Sequence, residues 1–328
     1  MSFGDKGGAT GYLVGEENRG LVAMFTMMNL ARLSVGTQGV AIMDRACQHA
    51  EAYARDRRQG AAIGSPRGTM DPIIAHPDIR RTLGQMQALT QACRAITLAT
   101  ASETDKSARG ASEEERRAAA NMTALLTPIA KAFPTDCGMA VTSEGIQVHG
   151  GMGFIEETGA AQFHRDARIL PIYEGTNGIQ AIDLVTRKLT LDNGTTLKTL
   201  LQQLRAVNDS LGHNQALADE MGDSLAAALS DLESSLAHLT NPASNDPANL
   251  LYAATPLLRM MGITIGGALL IKGALKATAE NDPAAIRQTA LAAIFAHQIL
   301  PQAHALSREI IGGGDKLKTQ TDRLFTHT

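Results

Sequence analysis

Apolar side chains recur at helical spacing along most of this chain. The first stretch covers about residues 20 to 58 and contains Leu21, Met24, Met28, Val35, Ile42, Ala46 and Tyr53. The second covers about residues 78 to 103 and contains Ile79, Leu83, Met86, Leu89, Cys93 and Ile96. Such spacing puts the apolar side chains on one face of a helix, so two long helices are predicted. Gly36 and Gly39 inside the first helix indicate close packing against a neighbour.

Boundary signals predict further helices after a polar loop at residues 104 to 110. Ser112 and Glu115 have the spacing of a capping box, so a third helix should start there. Pro128 and Pro134 should interrupt or kink it before it ends at Gly150 and Gly151. Shorter helices are predicted near residues 157 to 166 and 176 to 189.

The pattern beyond residue 191 predicts a second domain. Leucine-rich stripes continue to about residue 239, and Asp246-Pro247 and Asp282-Pro283 each combine a capping acid with proline at the first helical position. Four antiparallel helices, the last ending at residues 312 to 314, would form a bundle. The fold class is therefore all-α, with an up-down bundle at residues 19 to 190 and a second helical bundle at 191 to 328. Residues 12 to 14, among the glycines of segment 1 to 18, predict a short N-terminal strand.

Composition narrows the function classes. Aromatic residues are 3% of the chain, Trp is absent, and the formal net charge is −3, so no strong field is expected to attract nucleic acid or an anionic membrane. Cys47, Cys93 and Cys137 are odd in number and widely spaced, which indicates buried thiols in a reducing compartment. The N-terminus lacks the charge and apolar order of a signal peptide, and the apolar run at residues 260 to 271 is too short to span a bilayer. A cytoplasmic protein with a core helix at that run is predicted.

Unusual chemistry is densest at residues 141 to 187. Glu174 lies between Tyr173 and Gly175 just before a predicted helix. Desolvation there would make it a better base, but an acid is also favourable at a helix N-terminus for purely structural reasons.

Two other features have a binding and a structural interpretation. Gly150 and Gly151 could let backbone amides approach a pyrophosphate, or they could be a helix C-cap and turn. Arg57 could bind phosphate or stabilise the end of the first helix. The nearby histidines and acids do not repeat at metal-ligand spacing, so no metal is predicted.

These motifs together resemble the acyl-CoA dehydrogenase family. The resemblance rests on Arg32 and on the segments 15–20, 55–58, 147–154, 165–168 and 173–176, which read GEENRG, RDRR, QVHGGMGF, RDAR and YEGT. It covers about residues 1 to 190 and matches the family's C-terminal helical domain, preceded by the last strand of its middle β domain.

The resemblance implies a reaction and a set of roles. The family oxidises an acyl-CoA to the trans-2-enoyl-CoA with bound FAD and passes electrons to an electron-transferring flavoprotein. Glu174 matches the base that removes the α-proton as hydride leaves for flavin N5. The positions that match FAD contacts are Arg57, Gln147, Gly150, Gly151 and Thr176, and those that match the CoA site are Asn29 and Arg32.

The resemblance also implies partners and a substrate class. FAD contacts that cross between subunits imply a homodimer or homotetramer. The extra helical domain resembles the larger subgroup that includes 3-methylmercaptopropionyl-CoA dehydrogenase, which handles a short acyl group. Very-long-chain enzymes of the family also carry an added helical domain, so the domain layout leaves the acyl chain open. The match starts at the last strand of the middle β domain, so these 328 residues are expected to lack the contacts that the family's N-terminal α-helical domain and full β domain supply. An alternative interpretation is therefore a helical assembly module without tight FAD binding.

Overall fold

The computed structural model describes residues 3 to 241 and 247 to 325, and within them the chain is helical. The bounds are α1 Gly20–Asp56, α2 Pro77–Arg109, α3 Glu113–His149, α4 Gly151–Phe154, α5 Ala160–Ala167, α6 Asn177–Asp183, α7 Thr195–Leu211, α8 Gln215–Thr240, α9 Pro247–Tyr252, α10 Ala254–Ala279, α11 Ala285–Gln298 and α12 Gln302–Phe325. A π-helical turn, Leu184–Lys188, extends α6. The all-α fold predicted from the sequence is confirmed.

The long helices α1, α2 and α3 pack together, and glycines set the distance between α1 and α3. A Cβ built at Gly36 would lie 1.9 Å from the carbonyl oxygen of Ala130, and one at Gly39 would lie 2.9 Å from that of Pro134. Proline at position 134 has no N–H to donate to the Ala130 carbonyl. The carbonyl therefore faces α1, where only glycine leaves room, so the predicted close packing is confirmed.

The second bundle surrounds α10. This helix is long and apolar enough to cross a membrane by length and composition, yet 72% of its most apolar window is buried inside the protein. It contacts α2 and α3 of the first bundle as well as α8, α11 and α12. The core helix predicted around residues 260 to 271 is confirmed, but the prediction that this run is too short to span a bilayer is wrong, because the helix extends to 26 residues.

One hydrophobic core joins the two bundles. Buried side chains of α1 to α3, of α7 and α8, and of α10 to α12 belong to the same cluster. At the contact of α3 with α10, a Cβ at Gly262 would lie 2.4 Å from the ring of Phe133. The domain division at residue 190 therefore falls between segments that share a core, and it stays a sequence-based prediction.

The N-terminal strand prediction is wrong. Tyr12, Leu13 and Val14 form no strand and are 88%, 69% and 89% exposed. A single extended segment needs a partner for its backbone groups, and the described residues contain no strand that could pair with it.

Three boundary predictions also differ from the structure. Residues 104 to 109 continue α2, and within it the hydroxyls of Thr104 and Ser107 bond to backbone carbonyls of the same helix at 2.9 and 2.7 Å. Pro128 and Pro134 do not interrupt α3. Residues 312 to 314 lie inside α12, where Gly314 allows close approach of Asn249 from α9.

Other signals are confirmed or lie outside the described residues. The Ser112 hydroxyl accepts from the amide of Glu115 at 3.0 Å, so the capping box starts α3 as predicted. Residues 195 to 325 hold six described helices, α7 to α12, rather than four. Asp246, the predicted cap of α9, lies outside the described residues.

Candidate functional site

Glu174 lies on a tight left-handed turn between α5 and α6. Its φ is +56° and that of Gly175 is +83°, conformations that L side chains adopt only when their surroundings impose them. A Cβ at Gly175 would lie 2.7 Å from Nε2 of Gln180. Both the positive φ and this close contact therefore disfavour a side chain at position 175. The Tyr173 hydroxyl donates a hydrogen bond to the Gln38 side chain of α1, which ties the turn to that helix.

The carboxylate of Glu174 is available to a ligand. The side chain is half-buried, and its Oε2 is buried without a hydrogen-bond partner in the described residues. A buried acceptor without a partner is costly. Such an atom is expected where a bound group completes the site.

Arg32 of α1 approaches the same turn. Its Nη2 lies 3.8 Å from the position of a Cβ at Gly175, and its side chain is 7% exposed. Nη1 donates to Asn29 Oδ1 at 3.2 Å, while Nε is buried without a partner. The two residues predicted to contact CoA therefore lie together beside Glu174.

Thr176 ends the turn by capping α6. Its hydroxyl accepts from the amide of Ile179 at 3.3 Å, and such a cap satisfies one of the free N–H groups at the helix start. Gln180, which is fully buried, donates to the Gly175 carbonyl at 3.5 Å. The turn is thus fixed at its C-terminal end by the first residues of α6.

Lys131 of α3 lies beneath this turn and is fully buried. Its Nζ donates to Asn177 Oδ1 at 2.7 Å. Burial lowers the pKa of Lys131 to about 8, although the negative charges of Asp136 and Glu174 act in the opposite direction. A positive charge therefore lies near the Glu174 carboxylate below that pH.

The second predicted feature, the glycine pair after α3, lines a cleft of about 590 Å³. Gly150 has φ +60° and ψ −141° and caps α3, so the C-cap interpretation is structurally correct. A Cβ at Gly150 or Gly151 would meet nothing within 4 Å. Both backbones are therefore open to an approaching group.

Arg57 and Gln147 flank this cleft and are exposed. Neither side chain makes a hydrogen bond or ion pair with the described residues. One wall is built from the Tyr53 and His149 rings, stacked at 4.4 Å, and His149 Nε2 is buried without a partner. A free guanidinium, an amide and open glycine backbones fit a phosphate-bearing group.

The two features lie at opposite ends of the first bundle. Arg32 is near the Glu174 turn and Arg57 lies at the other end of α1, about 37 Å away at 1.5 Å per residue. An extended dinucleotide cannot reach from one to the other within a single chain. The structure therefore brings Asn29, Arg32 and Thr176 to Glu174 but leaves Arg57, Gln147, Gly150 and Gly151 apart.

Sequence reasoning did not identify Lys131 or Asn177 as site residues. A single lysine in a helix usually indicates a solvated face, since lysine is seldom fully buried. The available signal was that residues 118 to 135 of α3 contain no other charged residue, so the sequence offers no charged helix face there for Lys131 to join. No group of three or more metal-ligating side chains occurs in residues 3 to 241 and 247 to 325.

Two family models match the chain. The model described as acyl-CoA dehydrogenase, C-terminal domain, matches residues 18 to 189. The model described as acetyl-CoA dehydrogenase C-terminal like matches residues 195 to 319. Together they account for most of both bundles.

Curated relatives match over nearly the whole chain. The 3-methylmercaptopropionyl-CoA dehydrogenase of Ruegeria pomeroyi is 45% identical over 95% of this chain and 54% of its own length. A broad-specificity linear acyl-CoA dehydrogenase of Mycobacterium tuberculosis is 32% identical over the same shares. The chain spans about half the length of the curated relatives it matches.

Solved structures share the fold. The structure of Caenorhabditis elegans ACDH-11 in complex with C11-CoA superposes with a TM-score of 0.73 at 22% identity, over 92% of this chain and 49% of that one. An acyl-CoA dehydrogenase complexed with FAD from Bacillus anthracis gives 0.67 at 21% identity, over 96% of this chain and 55% of that one. The arrangement of both bundles is therefore one that known structures also have.

Proposed function

The chain belongs to the acyl-CoA dehydrogenase family, and from that premise we propose that it is the base-bearing part of an FAD-dependent acyl-CoA dehydrogenase. The complete protein would convert an acyl-CoA thioester to the trans-2-enoyl-CoA. The observation that carries this proposal is the left-handed turn that presents Glu174, with a carboxylate oxygen that no described residue hydrogen-bonds.

The chain's own residues have distinct parts in this reaction. Glu174 takes the α-proton of the thioester, and Asn29 and Arg32 bind the CoA portion beside it. At the other end, Arg57, Gln147 and the glycine pair hold the phosphate-bearing half of FAD. When bound, FAD supplies the acceptor for the hydride that leaves the β-carbon.

The separation of the two ends supports an oligomer. Because one dinucleotide cannot reach both ends of α1, each flavin would lie between the Glu174 end of one subunit and the Gly150 cleft of another. A homodimer or homotetramer satisfies this requirement. An electron-transferring flavoprotein as electron acceptor, and a cytoplasmic location, complete the proposal on the basis of family membership.

The curated relatives support a proposal for the class of substrate. Similarity to the 3-methylmercaptopropionyl-CoA dehydrogenase is greater than to the broad-specificity linear enzyme, at 45% against 32% identity. We therefore propose a short acyl-CoA, with 3-methylmercaptopropionyl-CoA as the first to be assayed.

The decisive experiment replaces Glu174 by Gln in the complete protein. We expect the rate at which acyl-CoA bleaches the flavin to fall by about 10²- to 10⁴-fold, the usual contribution of a general base, with flavin content unchanged. Glu144→Gln, an exposed glutamate of α3, is the matched control. Normal bleaching by the Glu174→Gln protein would exclude this residue as the base.

One observation favours an assembly module as a second function. The apolar side chains of Ile172 and Ile179, on either side of Glu174 in the chain, are 46% and 51% exposed, and exposed apolar surface can mark an interaction site. A flavin spectrum of the purified 328-residue chain separates the two functions. Near-stoichiometric flavin absorbance would exclude the module, whereas a colourless chain of defined oligomeric size would support it.

A further inference from the structure

Lys131 is buried where a lysine is costly. Its side chain is 0% exposed, and an ammonium taken out of water must be compensated by charges and hydrogen bonds. One hydrogen bond from Nζ is present in the described residues, to Asn177. Retaining a charge under such conditions points to a role that an apolar side chain of the same shape could not fill.

Asn177 connects this lysine to the turn that carries Glu174. Besides accepting from Lys131, its side chain donates to Asp136 Oδ1 at 2.7 Å, to Thr135 Oγ1 at 2.9 Å and to the Ala132 carbonyl at 3.2 Å. The first residue of α6 is therefore fixed to one turn of α3.

The backbone of Asn177 also closes the segment that carries Glu174. Its N–H donates to the Pro171 carbonyl at 3.0 Å, so the residues between them form a short closed segment. Glu174 and Gly175 hold successive positive φ angles inside that segment. Strained conformations persist when neighbouring contacts fix both ends, and Asn177 supplies one of those ends.

The charge of Lys131 acts on the same segment. Glu174 and Asp136 attract the ammonium and Arg32 repels it. The lysine is thus the cation that α3 contributes beneath the turn, without access to a substrate from its buried position.

We propose that Lys131 is a positioning residue for the base: by its bond to Asn177 and its charge beneath the turn, it holds segment 171–177 in the conformation that presents Glu174. This inference rests on the proposed function of Glu174. It assigns no contact with substrate to Lys131.

The test uses hydrogen exchange on the 328-residue chain. Lys131→Met keeps a straight apolar stem and removes the ammonium, so packing is nearly preserved. We expect amide exchange at residues 171 to 180 to rise roughly tenfold or more, with global stability to urea unchanged or higher, since apolar replacement of a buried charge is often neutral or stabilising. If the lysine had a purely structural role, its replacement would lower the global stability to urea, and amide exchange would rise throughout the protein rather than at this segment alone.

A second variant and a control complete the test. Asn177→Ala, at a half-buried position, should loosen the same segment, and the double variant should be no looser than either single one, as expected for two residues acting as a unit. Thr90→Val removes a buried hydroxyl of α2 that lies 3.4 Å from Cys47 Sγ, well along α1 from Arg32, and should leave the segment unchanged.

Three outcomes would overturn the proposal: unchanged exchange in Lys131→Met, additive loosening in the double variant, or loss of the global fold in Lys131→Met. None of them depends on catalysis. Failure here would leave Glu174 as the proposed base, and failure of the Glu174→Gln experiment would leave the exchange results intact.

Discussion

The two ends of the first bundle hold their polar groups in opposite ways. Around Glu174, the side chains of Lys131, Asn177 and Thr176 bond to one another or to the backbone. Around Gly150, the Arg57 and Gln147 side chains face an open cleft without partners in the described residues. The difference teaches that internal contacts hold the turn of the proposed base, while the side chains at the opposite end are left free to contact a group from outside.

The largest loss of stability is expected at the contact between α1 and α3, the long helices that connect the two ends of the bundle. Gly36→Ala would place a Cβ 1.9 Å from the Ala130 carbonyl oxygen. Backbone cannot move aside as a flexible side chain can, so we expect a loss of about 3 kcal/mol in the free energy of unfolding. Urea denaturation measures it.

Gly222→Ala in α8 is the matched control for that variant. A Cβ there meets nothing within 4 Å, so alanine should stabilise by about 0.5 to 1 kcal/mol. Equal stability of the two variants would show that the helices can separate without cost.

A titration distinguishes the buried end from the open one. Burial lowers the pKa of Lys131 from 10.5 to about 8, so between these values the unfolded chain holds a proton that the folded chain has released. Lys131 therefore contributes a rise in the free energy of unfolding with pH across that window, while the Cys47 thiol, whose pKa burial raises to about 11, contributes a change of opposite sign above pH 9. Relative to Lys131→Met, we expect wild-type protein to gain on the order of 2 kcal/mol between pH 7.5 and 10.

Thr100→Val is the control for the titration. It removes a buried hydroxyl of α2 but no titratable group, so its free energy of unfolding should run parallel to that of wild type over the same pH range. A constant difference between wild type and Lys131→Met would contradict a lowered pKa at this lysine.

Backbone geometry gives the next test, at the open end. Gly150→Ala would put a side chain at φ +60° and ψ −141°, at a cost of about 1 to 3 kcal/mol. Gly151→Ala, its neighbour without a positive φ, should change stability by no more than about 0.5 kcal/mol. Thermal unfolding of both variants measures the contrast, and equal losses would refute it.

The smallest stability effect is expected at Arg57. Because its guanidinium has no partner in the described residues, Arg57→Met should alter the free energy of unfolding by less than about 0.5 kcal/mol. FAD affinity of the complete protein should nevertheless fall roughly tenfold, the worth of one charge-assisted hydrogen bond. Arg323→Met, at an exposed position of α12, should change neither the free energy of unfolding nor the FAD affinity. A marked loss of stability in Arg57→Met would show that the side chains at this end are also held by internal contacts.

The sequence predicts those parts of the fold that depend on local pattern. Helices α1 and α3 follow from apolar spacing and from the Ser112 cap, and Gly36 and Gly39 indicate the helix contact, because each of these signals acts within one element. The extension of α2 over residues 104 to 109 was missed, since polar residues suit a solvated helix end as well as a loop.

The site was predictable only in part for a similar physical reason. Glu174 and the glycine pair carry local signals and a family motif. The hydrogen bond from Lys131 to Asn177 joins residues that are 46 positions apart. Spacing rules within one element cannot predict this contact, because the packing of α6 on α3 creates it.

The contact of Gly262 with Phe133 has a practical consequence for anyone who trims this protein. The sequence marks two modules that meet near residue 190, which invites expression of the first module alone. Yet α10 packs on Phe133 of α3 and also contacts α6, the helix that begins with Asn177, and cutting there would expose the apolar surfaces of both helices that α10 covers. A fragment that is to keep the Glu174 turn in its present packing should therefore include the second bundle.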